Sequence, residues 1–313
     1  MKKLKEEIQQ LFNEQLAVWE LAKNNYNALP QVKEKMFEIN GNTYNVQFNP
    51  ARITSSAAKV DPKSIQERKC FLCQANLPPQ QRGIPFKEHY SILVNPFPIF
   101  PRHLTVPDLK HTDQLIDNQM DDMLDLAKSL DDFIIFYNGP KCGASAPDHF
   151  HYQAGNKGFL PLEKEWESKQ AGKIGESGNA TLWYLDDAPR TTLVIESGDK
   201  ADATKMFRII YESMELKEGD PEPMMNILAW YEENKWIVCV FPREKHRPSC
   251  YFSEGETNLL ISPASVDMGG VFITPQEKDF IKITPNDISN ILSEICLSPE
   301  KFHKLRQQIK ERL

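Results

Sequence analysis

The sequence predicts an α+β protein of two similar halves in one body, each a mainly antiparallel sheet with helices to one side. Three observations lead there. Runs of strand length, such as Tyr44 to Phe48, Tyr90 to Val94 and Phe133 to Tyr137, sit among segments of helical periodicity. A strand, a proline, a charged turn and a histidine occur in order twice, as Val106-Pro-Asp-Leu-Lys-His111 and as Phe241-Pro-Arg-Glu-Lys-His-Arg-Pro248. Between the two lies a stretch bearing Gly, Ser and Lys, Glu167 to Asn179, which suggests a boundary between halves spanning 1–166 and 180–313.

In chain order, the apolar positions Leu4, Ile8, Leu11, Phe12, Leu16 and Trp19 predict a packing helix over Leu4 to Ala22. Tyr44, Val46 and Phe48 alternate with polar residues as a half-buried strand does, and Asn49-Pro50 ends it before Arg52. A second amphipathic helix is expected from Asp113 to Asp132, followed by the apolar strand Phe133 to Tyr137, which leads into Asn138. Further strands are expected at Thr181 to Leu185, Thr191 to Glu196, Met225 to Trp230 and Trp236 to Phe241, with a helix from Ala203 to Met214. A small-residue loop, Pro263 to Gly270, has no evident purpose, and helices at Pro285 to Leu297 and Pro299 to Arg312 close the chain.

With 313 residues and 40% hydrophobic composition, the chain can bury a full core. Its net charge of −7 and pI near 5.6 disfavour a nucleic-acid partner, which would call for a basic stripe. An anionic substrate must then meet local positive charge. The best candidate is the second turn, where Arg243, Lys245, His246 and Arg247 cluster. Arg243 and Lys245 are the expected phosphate contacts, with a solvated turn as the alternative. The first residues lack the apolar region of a signal peptide and no stretch approaches about 20 apolar residues, so a cytoplasmic protein without a membrane partner is expected.

Six unevenly spread cysteines argue against a disulfide framework. Cys70-Phe-Leu-Cys73 admits three readings: half of a zinc site, a redox pair, or two unrelated thiols. A redox pair is expected at the start of a helix between strands, whereas the polar Asp61 to Lys69 precedes this motif and Pro78-Pro79 follows it.

The chemistry is expected in Cys142-Gly-Ala-Ser-Ala-Pro-Asp-His-Phe-His-Tyr-Gln153. On a strand over His149 to Gln153, the period of two sends His149, His151 and Gln153 to one face and Phe150 and Tyr152 to the other. A neutral imidazole is a competent nucleophile near pH 7 once its other nitrogen is held in one tautomer. The Gly143-Ala144-Ser145 turn can offer N–H groups and a hydroxyl to phosphoryl oxygens. The bland alternative is a strand with two half-buried histidines.

The segments Gly143-Ala144-Ser145 and His149-Phe150-His151-Tyr152-Gln153 resemble the histidine triad superfamily in its transferase branch. That branch ends its motif His-x-His-x-Gln, where the hydrolase branch has a third His. The resemblance implies His151 as the nucleophile and Gln153 as a phosphate contact. It implies a Cys2His2 site, for zinc with iron as the alternative, in which His111 and His149 complete the Cys70 and Cys73 pair. It places Asn95 and Phe97 in the nucleoside pocket, and Arg52 and Asn138 near the phosphates, while His103 orders its strand. Asn95-Pro-Phe-Pro and His103-Leu-Thr-Val-Pro-Asp-Leu-Lys-His111 carry this part of the resemblance. One departure is that the branch's uridylyltransferases place two residues between the Ser and the first His, where Ala146, Pro147 and Asp148 stand here. The implied function is a nucleotidyltransferase or phosphorylase acting on a nucleotide sugar or dinucleoside polyphosphate, with phosphate or a sugar phosphate as acceptor. The rivals are a non-catalytic nucleotide-binding protein and a histidine triad hydrolase, which Gln153 disfavours. The second half, lacking a His-x-His, is expected to be degenerate.

Overall fold

A computed structural model describes residues 2–313, the side chains of Lys2 and Ser55 set aside. The expected first helix is two, Lys2–Val18 and Glu20–Ala28, because the backbone at Trp19 is extended (φ −107°, ψ 94°). The break lets both apolar faces lie on the same core, with Trp19 buried between them. A hairpin of β1 (Lys33–Ile39) and β2 (Asn42–Phe48) follows. The meander β3 (Gly83–Phe86), β4 (Tyr90–Val94) and β5 (His103–Pro107) leads to helix Met120–Ser129 and then to the pair β6 (Phe133–Asn138) and β7 (His151–Asn156). The second half repeats that order with β8 (Gln170–Ser177), β9 (Ala180–Leu185), β10 (Leu193–Ser197), helix Lys200–Ser213, β11 (Met225–Glu232) and β12 (Lys235–Pro242). β13 (Val271–Thr274) returns to pair in parallel with β2, and helices Pro285–Ile295 and Pro299–Arg312 end the chain.

The ten strands of the two repeats form one sheet in the order β3-β4-β5-β7-β6-β11-β12-β10-β9-β8, antiparallel throughout. The halves meet where β6 pairs with β11, from Asn138 opposite Asn226 to Ile135 opposite Ala229. An approximate twofold axis therefore passes through the Phe136–Leu228 pair. Phe136 is opposite Gln153 in one hairpin and Leu228 is opposite Cys239 in the other. Cys239 thus stands where Gln153 does, and Ile237 where His151 does. Both are buried in the core, so the second half has no counterpart of the polar face.

Alternation along the strands divides the core in two. Phe133, Ile135 and Tyr137 of β6 pack with the helices Lys2–Val18, Met120–Ser129, Lys200–Ser213 and Pro299–Arg312. Ile134 and Phe136 face the other way, toward the small sheet and helix Pro285–Ile295. Helices therefore flank both faces of the large sheet, where one face was expected. Over the first half, that second face also borders a cavity.

The suggested boundary stretch is itself strand β8, at the sheet's edge. Its glycines mark close approach rather than a linker: a Cβ on Gly172 would lie 2.7 Å from the Tyr184 ring.

Beneath the junction, Glu222 accepts hydrogen bonds from the Tyr137 hydroxyl at 2.5 Å and the Ile116 N–H at 2.9 Å. Burial disfavours its charge and raises its pKa from 4.5 to about 7, although both bonds oppose the shift. A carboxyl whose folded pKa is raised is most stabilising while protonated, and that stability is lost as pH rises from the unfolded value through the folded one. Glu222→Gln can still accept from Ile116 and donate to Tyr137. It should be more stable than the parent at pH 8, by on the order of 2–3 kcal/mol, and keep little of that advantage at pH 4.5. Thermal unfolding at the two pH values checks this, and an equal difference at both would contradict it.

Candidate active site

A cavity of about 790 Å³ lies on the open face of the first half, with walls from β4 to β7, the segment after Arg52 and the 263–267 loop of the second half. It brings together most of the residues singled out from the sequence: Arg52, Asn95, Phe97, Asn138, the Gly143-Ala144-Ser145 turn, His151 and Gln153 all line it.

His151 opens β7 and is almost wholly buried. Its Nδ1 lies 2.8 Å from the His149 carbonyl oxygen, which can only accept, so Nδ1 carries the proton. Nε2 is left with its lone pair. Burial is the main cause that drives the ring's pKa down to about 4, so the imidazole is neutral at pH 7. Gln114, which no sequence signal picked out, holds the strand end. It accepts from the His151 N–H at 2.7 Å and donates to the carbonyls of His151 and Asn138 at 2.9 and 3.1 Å.

The Gln153 amide is oriented by His103. The Ile99 N–H donates to His103 Nδ1 at 3.1 Å, so the ring proton sits on Nε2 and points at Gln153 Oε1, 3.0 Å away. With its oxygen so engaged, Gln153 turns its NH2 group to the cavity. Burial lowers the His103 pKa to about 3, which keeps that tautomer in place. His103 does order the strand region, and it also sets the polarity of Gln153.

Asn138 follows the Phe136–Gln153 pair by two residues and so stands beside His151. Its Oδ1 accepts from the Ser265 N–H at 2.8 Å and from Asn226 Nδ2 at 3.0 Å. Gly143 begins the turn with φ +94°, and a Cβ there would come within 2.7 Å of Ala264 Cβ. The purposeless-looking 263–270 loop is thus the backing of the Gly143-Ala144-Ser145 turn.

At the other wall, Arg52 Nη1 donates to the Phe97 carbonyl at 2.8 Å, and burial lowers its pKa to about 10, leaving it cationic. Asn95 accepts from the Phe97 N–H at 2.9 Å and donates to Thr105 Oγ1 at 2.9 Å, so its amide shapes the wall of the cavity.

The basic turn is a correction. Arg243 does not line the cavity: it is 2% exposed, and its guanidinium is spent on Asn226 and on the carbonyls of Lys245, His246, Pro263 and Ile295. Lys245 is on the outside, paired with Glu294 at 3.2 Å. His246 and Arg247 are the members that reach the cavity. Arg68, missed from the sequence, lines it too, with one arm paired to Asp148 at 2.5 Å and Nη1 buried without a partner.

His149 is also displaced from its expected place, because β7 begins at His151 and His149 lies in the preceding turn. Its Nε2 donates to the Asp108 carbonyl at 2.8 Å, and its Nδ1 points at Cys70 Sγ, 3.2 Å away. Cys73 Sγ lies 3.2 Å from His111 Nδ1 and 3.6 Å from His149 Nδ1. The four ligand atoms fall within 4.8 Å of one another and can hold a metal ion. Burial favours the Cys70 thiol, yet its pairing with His149 and hydrogen bonds from two backbone amides outweigh it and bring the pKa to about 6.

Among the described residues, no helix is long and apolar enough to cross a membrane. Residues 11–156 match a domain of unknown function (DUF4922), and residues 164–313 match the GDPGP1-like, C-terminal domain. No curated protein matches the chain closely enough to count as a relative. Among solved structures, yeast Ap4A phosphorylase Apa2 in complex with AMP aligns with TM-score 0.56 at 18% identity, over 91% of this chain and 97% of that one. The same yeast protein without the complex aligns at 0.55 and 17%, over 89% and 94%. Its complex with Ap4A aligns at 0.55 and 16%, over 89% and 96%. The chain therefore has the fold of that phosphorylase, an α+β fold of two halves.

Proposed function

We propose that this chain is a nucleotidyltransferase of the phosphorylase type, working through a covalent nucleotidyl-histidine. The observation that carries the proposal is His151 Nε2: a neutral imidazole nitrogen with its tautomer fixed, beside the amide groups of Asn138 and Gln153. Nε2 attacks the α-phosphorus of the donor, a nucleotide sugar or dinucleoside polyphosphate. The P–O bond to the rest of the donor breaks, and that part leaves as a phosphate ester. The nucleoside monophosphate stays on His151 until an oxygen of inorganic phosphate, or of a sugar phosphate, attacks phosphorus and the N–P bond breaks. Amides in a buried site suit the charged oxygens of both steps. Arg52, Arg68 and Arg247 supply the local positive charge that an acidic chain needs. The complexes of the yeast phosphorylase with Ap4A and AMP support a dinucleoside polyphosphate as the first donor to try.

We also propose zinc for the Cys70, Cys73, His111 and His149 set. Two thiolates and two imidazoles suit a closed, structural tetrahedral site, and the bond from His149 Nε2 to Asp108 orients that ring as a ligand. Iron in the same set would alter only the identity of the metal.

Two measurements test these proposals. In Cys73→Ala, metal content and melting temperature should fall together, because metal binding contributes to folding free energy. A metal-free parent protein as stable as the metal-loaded one would remove the zinc site. With Ap4A and no acceptor, intact mass should show one added nucleoside monophosphate, acid-labile and absent from His151→Ala, with ping-pong kinetics once phosphate is added. Near parental turnover in His151→Ala would overturn the mechanism.

A further inference from the structure

Arg243 carries only donors, and this has consequences along a chain of buried side chains. The Arg243 Nη1 group donates to Asn226 Oδ1, so the Asn226 amide must turn its NH2 the other way. That NH2 donates to Asn138 Oδ1 at 3.0 Å and to the Cys142 carbonyl at 2.7 Å. The Asn138 amide is thereby forced to hold its oxygen inward, where the Ser265 N–H, at 2.8 Å, makes the same demand. Amide orientation is often a matter of assignment, but an arginine at the head of the relay leaves no choice. Asn226 is 0% exposed and stands within the otherwise apolar Met225-Asn226-Ile227-Leu228 of β11. Asn138 Nδ2 is the one hydrogen-bonding group of this relay with no protein partner among the described residues, and Asn138 lines the cavity beside His151.

We infer that Arg243 and Asn226, from the half without a reactive motif, are positioning residues that fix the polarity of the Asn138 amide, so that it meets a phosphoryl group at His151 as a donor. The inference rests on the transfer mechanism proposed above for the meaning of that donor, while the polarity itself can be read without turnover.

The probe is inorganic phosphate, titrated calorimetrically into the whole protein. Asn138→Ala measures the share of the amide. Asn226→Asp keeps the partner of Arg243 but presents only acceptors to Asn138, and it should raise the Kd for phosphate about tenfold. The double variant should bind no worse than Asn138→Ala alone, because both changes remove the same donor. Loss of packing alone would instead add. Ser265→Ala removes the hydroxyl near Asn138 Oδ1 and leaves Arg243 untouched, with about a threefold rise expected; it serves if Asn226→Asp does not fold. In turnover with Ap4A, kcat of Asn226→Asp should fall about a hundredfold with KM within threefold. Unchanged phosphate binding in Asn138→Ala, or parental binding in a folded Asn226→Asp, overturns the inference. Failure of the His151 adduct would instead remove the transfer mechanism and leave these titrations to decide the relay.

Discussion

The pairing of β6 with β11 is the contact on which the rest of the architecture depends. It makes one sheet of two repeats, and it places Asn226 opposite Asn138 at the very end of β6, where the strand gives way to the segment leading to Gly143. The second half has Ile237 and Cys239 at the positions of His151 and Gln153, so it lacks that polar face. Its retained contribution is rigid support: Asn226, Ala264 and Ser265 all bear on the turn or on Asn138. A single half could not assemble this cavity, since one of its walls belongs to the other repeat.

A common device runs through the site: groups that can only donate or only accept impose the state of the ambivalent groups next to them. The His149 carbonyl sets the tautomer of His151, the Ile99 N–H sets that of His103, and His103 then sets Gln153. Burial adds to this by keeping both rings neutral, since charging either would place an imidazolium in a desolvated environment. The result is preorganisation, in which the free His151 lone pair and the amide N–H groups face the cavity before any ligand arrives.

The sequence made the α+β class and the candidate site stretch legible, because strand alternation and a short motif are local properties. The echo of Val106 to His111 in Phe241 to Pro248 does not mark the repeat: those segments follow β5 and β12, and β12 corresponds to β7. Residues whose importance depends on partners far along the chain were not legible in the same way. Arg243 was visible as part of a basic turn, but its 2% exposure is decided by strands and loops tens of residues away. The glycines of β8 suggested only a boundary between halves because the Tyr184 ring that requires Gly172 lies on the next strand. Gln114 carries no motif, although a lone Asn in the apolar run of β11 was a signal that could have drawn attention to Asn226. His149 was assigned to the strand by extending its alternation one step too far, past the point where the chain turns toward Cys70.

The arrangement around Gln153 bears on the choice of acceptor under the proposed mechanism. With its oxygen occupied by His103, Gln153 offers only N–H donors, and an amide neither releases nor takes a proton near neutral pH. A third histidine at that position could serve as acid or base for a leaving group or for water. Here no such help is available from Gln153, so transfer is favoured between groups that need none: phosphate esters that depart as anions and phosphate oxygens that are already nucleophilic. Water needs a base to compete, and the His151 nitrogen that could act as one is occupied by the nucleotide in the intermediate. Under that mechanism, the same amide that would stabilise the phosphoryl oxygens also steers the intermediate away from hydrolysis and toward phosphorolysis.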